Sequence, residues 1–196
     1  MILLAIMLGL KGDVKADLET YFDLMRPLQL GGKLGCFLIQ LPPKCDCNLE
    51  NLESFFGLLD LMFRYAVEFR NLSWLKDETW DLLKKYDVAY TIVDEPLLPT
   101  EVHLTADFAY FRWYGKGENI WFDYRYSNEE LDTWVPKVQE TSKSVKKVIG
   151  FFNNHFHGYA PENCLQLIEK LGLLSEEQKK VKAKASIKQA DLSIFS

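Results

Sequence analysis

Polar residues of the kind that bind or turn over ligands recur at one place in this chain, the ends of short apolar runs. Gln40 closes the run Leu34–Leu41, and Glu68 and Arg70 close Tyr65–Phe69. Asp94 follows Val88–Val93, Arg112 lies near the end of Phe108–Trp113, and Asn153, Asn154 and His155 follow Val145–Phe152. Arginine offers a planar fork of donors that suits phosphate and carboxylate. Glu68 or Asp94 could act as general acid or base, and Asn153, Asn154, Tyr124 and Tyr126 could orient a substrate. Alternate residues of a strand share a face, so Glu68 and Arg70 would lie about 7 Å apart on one side. The competing expectation is structural: inward charges at strand ends pair with each other, Glu68 with Arg112.

These residues need elements to position them. The apolar runs lack a clean in–out alternation, as expected of strands covered on both faces, and helical patterns lie between most of them. Ala16–Met25, Leu49–Phe63, Asp77–Tyr86, Ser127–Thr141 and Pro161–Leu171 carry apolar residues at helical spacing. Asp77 is the expected cap of the third helix, and Ser127 with Glu130 forms a capping-box pattern. The order predicts parallel strands and an α/β fold. In such folds ligands bind at the carboxyl ends of the strands. No Gly-x-Gly-x-x-Gly or P-loop follows any run, which removes support for an open nucleotide-binding sheet.

The chain has 196 residues, 48% hydrophobic and 26% charged, which fits one globular domain. Its net charge of −5 gives no global attraction for nucleic acid, although a local basic site is compatible with it. Cys36, Cys45, Cys47 and Cys164 read as reduced thiols of a cytoplasmic protein. Cys45 and Cys47 are spaced too closely for the common zinc pairs. His155 and His157 could supply two metal ligands, but loop hydrogen bonding accounts for them more simply, and no metal site or cofactor is specified. Met1–Leu10 is uncharged yet about half the length of a membrane span, and is expected to pack on the core as a strand or helix. A domain over 1–175, with an atypical apolar start at 1–12, and a polar lysine-rich tail over 176–196 are expected.

The segments FLIQLPP (37–43), YAVEFRNLSW (65–74), DEP (94–96), TADFAYFRWYG (105–115), FDYRYS (122–127) and FFNNHFHGYAPENC (151–164) resemble, in order, the domain of unknown function 72 family, also called YecE-like proteins. The resemblance runs over roughly 14–172 and implies a TIM-barrel-like fold. Tyr114 stands where that family often has histidine. Counted against it, the five strands are the last five of eight, giving a partial (β/α) barrel. A complete barrel usually takes about 250 residues. Three functions follow: a hydrolase acting on a phosphate- or sugar-containing, nucleic-acid-like substrate; a non-catalytic binding module; or a fragment needing a partner chain. Exposed strand edges would favour a homodimer or a partner completing the barrel.

Overall fold

Apolar runs bounded by turns form strands here because their side chains find cover on both faces. The computed structural model describes residues 2–4 and 14–182. Its sheet has six parallel strands in chain order: β1 (Ile2–Leu4), β2 (Phe37–Gln40), β3 (Tyr65–Glu68), β4 (Val88–Asp94), β5 (Phe108–Trp113) and β6 (Lys147–Phe152). Five are the expected strands. The sixth, β1, comes from the apolar N-terminus and adds beside β2, pairing Ile2 with Leu38. Residues 1 and 5–13, where the rest of that segment falls, lie outside the described residues, as do residues 183–196 of the lysine-rich tail.

The helices are α1 (Val14–Leu30), α2 (Leu49–Phe56), α3 (Asp77–Lys85), α4 (Asn128–Ser144) and α5 (Tyr159–Lys170). Helix α2 is shorter than its apolar stripe predicts. It starts on the Asn48 side chain and ends at Gly57, and Leu59 and Phe63 reach the core from turns. Lys76, without a side-chain bond, caps α3, and Asp77 sits in its first turn, where a negative charge suits the helix dipole. The capping box of α4 forms as the sequence predicts. Among the described residues no helix is long and apolar enough to cross a membrane.

Strand parity separates two faces. Phe37, Ile39, Tyr65, Val67, Val88, Tyr90, Ala109 and Phe111 pack with Leu18, Phe22, Leu83 and Trp134 of the helices into the main core. Leu38, Ala66, Ala89, Phe108 and Tyr110 form a smaller cluster on the other face that, among the described residues, contains no helix residue. That face is the inside of a curled half-barrel, and its C-terminal end carries the polar residues.

Candidate functional site

Glu68 is the centre of the inner strand-end cluster and is fully buried. Arg70 Nε donates to Glu68 Oε1 at 2.9 Å, and Arg112 Nη1 donates to Oε2 at 2.6 Å. The Tyr114 hydroxyl lies 2.9 and 3.1 Å from the two carboxylate oxygens and accepts from Arg70 Nη2 at 2.7 Å. Arg112 is held further by Gln40 Oε1 at 3.1 Å and Asn153 Oδ1 at 3.0 Å. Both guanidinium groups pack over the Tyr114 ring, at 5.0 and 4.7 Å from its centroid. Burial pushes the Tyr114 hydroxyl well above its ordinary pKa, and the Glu68 charge adds to this. Gln40, Glu68, Arg70, Arg112 and Asn153 therefore come together, drawn from β2, β3, β5 and the chain just beyond β3 and β6. Two arginines thus share the one carboxylate of Glu68. Among the described residues, Arg70 Nη1 and Arg112 Nη2 have no protein partner.

Asp94 does not join them. One position separates it from the inward parity of Ala89, Thr91 and Val93, so it turns toward the helix side. There its Oδ1 meets Lys116 Nζ at 3.1 Å, and its charge adds to burial in raising the Tyr126 hydroxyl. Tyr124, Tyr126 and Asn154 are on that side too. Asn154 Nδ2 donates to Tyr124 O at 2.9 Å and to Asn163 Oδ1 at 2.7 Å. The Tyr126 hydroxyl accepts from Gly115 N at 2.9 Å, and the Tyr124 hydroxyl bonds Glu130. Burial, with help from Glu130, pushes the Tyr124 pKa up to about 12. These four residues shape the loop over the strand ends rather than the inner cluster.

The carboxyl whose position continues the inward parity is that of Glu95, which end-of-strand position alone does not reveal. Parity does, since it continues Ala89, Thr91 and Val93. It is 6% exposed, and its Oε1 has no hydrogen-bond partner. Burial raises its pKa; Arg70 opposes the rise and Glu68 adds to it. An acid whose pKa is higher folded than unfolded holds its proton better in the native state. Its favourable contribution is complete below the unfolded pKa and is lost as pH rises through the folded value. Glu95→Gln should therefore remove a decline in stability with rising pH above the ordinary glutamate range. Urea midpoints of parent and variant across pH 4–8, about the window involved, measure this; parallel curves would show that Glu95 ionises freely.

Each of the two strand-end histidines has its own partner. His155 Nδ1 lies 2.7 Å from Asn153 O, and its ring stacks on Phe122 at 4.9 Å with 6° between planes. His157 Nε2 is 3.4 Å from Asp123 Oδ1. Among the described residues, no three His, Cys, Asp or Glu side chains gather as metal ligands. The cluster thus presents two guanidinium groups fixed on one buried carboxylate.

The chain is similar to proteins of one family. It is 28% identical to the UPF0759 protein YunF of Bacillus subtilis (strain 168), with 83% of this chain and 68% of that protein aligned. The crystal structure of a DUF72 family protein from Thermotoga maritima MSB8 superposes with a TM-score of 0.76 at 35% identity, covering 82% of this chain and 66% of that one. A DUF72 family protein from Enterococcus faecalis V583 gives a TM-score of 0.78 at 24% identity, covering 84% and 68%, and shares the fold. The chain thus spans about two thirds of the length of these relatives. The family model described as "Protein of unknown function DUF72" matches residues 8–189, and the chain belongs to that family.

Proposed function

We propose that the chain binds a small phosphate- or sugar-containing anion at the strand ends and hydrolyses it, with Arg70 and Arg112 on the anionic group. The observation that carries this reading is the pair of guanidinium groups fixed by Glu68, each with one nitrogen that has no protein partner among the described residues. Gln40 and Asn153 act as positioning residues by holding Arg112. Glu68 has both oxygens occupied, so the acid role falls to Glu95 rather than to Glu68 or Asp94. Water forms the new bond to the cleaved group while the bond to the leaving oxygen breaks. Glu95 gives its proton to that oxygen and regains one from the water. Cytoplasmic placement belongs to the same proposal and fits four cysteines that form no disulfide.

The test uses inorganic phosphate and ribose 5-phosphate as binding probes and p-nitrophenyl phosphate for turnover. Binding should weaken on the order of tenfold in Arg70→Gln, as a charge-assisted bond of about 1.5–3 kcal/mol is lost. Turnover should vanish in Glu95→Gln. Binding without turnover would favour the non-catalytic module, a reading supported by the full engagement of Glu68. Absence of binding would reject the site.

We further propose that a second copy covers β6. Among the described residues this strand pairs with β5 and has no strand on its other side; Phe151 is half exposed, and no proline interrupts the edge. Such an edge is a template for pairing. Sedimentation should show a concentration-dependent dimer, and a monomer at all concentrations would reject this.

A further inference from the structure

The segment 115–126, between β5 and α4, is built more tightly than a plain connection requires. Gly115 has φ +96°, and a Cβ there would lie 2.4 Å from Tyr124 Cβ; a Cβ on Gly117 would lie 2.1 Å from Ile120 O. No larger residue fits either place without moving the loop. Asn163 of α5 bonds both the N–H and the carbonyl of Tyr126, at 3.2 and 3.0 Å, and Asn154 holds the carbonyl of Tyr124. Phe122 of this segment joins two rings from beyond β6 in an aromatic surface exposed to water. Phe122 is 36% exposed, Phe156 beyond β6 is 49% exposed, and the two rings are 6.2 Å apart. The exposed His155 ring lies flat on Phe122. Within this patch the His155 Nδ1 lies 2.7 Å from the carbonyl oxygen of Asn153, whose side chain holds the Arg112 guanidinium.

We propose that Phe122, His155 and Phe156 form a stacking platform for a planar ring on the ligand whose anionic group meets Arg70 and Arg112, so that the ligand is a mononucleotide. The inference rests on the anion-binding reading above. A pre-positioned aromatic surface near a pair of arginines matches a molecule that is flat at one end and anionic at the other. Stacking on aromatic side chains tolerates any base, because every base has a π-face. The net charge of −5 works against a long polyanion and favours a single nucleotide over a strand.

Calorimetric titration of the full chain with adenosine 5′-monophosphate, ribose 5-phosphate, inorganic phosphate and an oligothymidylate tests this. The nucleotide should bind on the order of tenfold more tightly than ribose 5-phosphate. The double substitution Phe122→Ala with Phe156→Ala should lower nucleotide affinity to that of ribose 5-phosphate, and Phe122→Trp with Phe156 intact should restore the preference. Equal affinities for the nucleotide and ribose 5-phosphate would overturn the platform and leave the anion site standing. No binding of any phosphate compound would overturn the anion site and the platform with it. Tighter binding of the oligothymidylate than of the nucleotide would overturn the mononucleotide as the ligand.

Discussion

Replacing Arg112 by Ala is expected to destabilise the chain by about 3–5 kcal/mol, because it leaves a buried carboxylate without its closest partner. Glu68 is fully buried, and its shortest bond is the one to Arg112. Gln40 and Asn153 would also lose the donor that satisfies their side-chain oxygens. Arg70 and Tyr114 would remain, but both already donate to Glu68 and cannot replace the missing charge. Urea unfolding of parent and variant measures the loss through the midpoint. Glu68→Gln combined with Arg112→Met removes charge from both sides, so the double variant should be more stable than the sum of the single effects predicts. A variant R112A as stable as the parent would mean that Arg112 is hydrated and unpaired.

The second large effect is expected at Trp74→Ala, again about 3–5 kcal/mol. Trp74 is 1% exposed and closes the short 3-10 turn Leu72–Trp74 after β3. Its ring stacks on Phe69 at 4.7 Å and 9°, and its indole N–H donates to Cys45 O at 2.8 Å. The bond crosses from the segment after β3 to the segment after β2. Asn71 makes the same crossing by donating to Pro43 O, and Ser73 by accepting from Cys47 N. Truncation therefore opens a cavity and loosens the loop pair beside Arg70. Trp74→Phe keeps a ring in place and should cost clearly less. Unfolding midpoints for both variants check the order, and equal stability of W74A and the parent would rule the stack out as a support.

Much of this architecture is legible in the chain itself. Runs such as Val88–Val93 and Phe108–Trp113 are apolar apart from Thr91 and Arg112, and they form strands within a residue or so of where the sequence places them. The N-terminal capping box is equally local, since Ser127 and Glu130 need only each other and the backbone between them. The Leu49–Phe63 stripe misleads because burial of Leu59 and Phe63 does not require a helix; Gly57 stops it and turns carry the remaining apolar residues inward. At the strand ends, sequence position fixes height along the barrel but leaves the face open. Asp94 and Glu95 differ by a single step, and that step sends one to the Tyr126 side and the other toward Arg70. Tyr124, Tyr126 and Asn154 read as ligand contacts because tyrosine and asparagine bond substrates and backbones alike. Only tertiary placement shows them bonding the loop and helix α5.

The bond between Gln40 and Arg112 has a mechanical meaning. Strands β2 and β5 are three places apart in the sheet order, about 14 Å if the sheet were flat. Two side chains rooted on the same face meet at 3.1 Å across that gap, which the bend of the sheet toward them shortens. Arg112 thus ties non-adjacent strands together as a chord ties an arc.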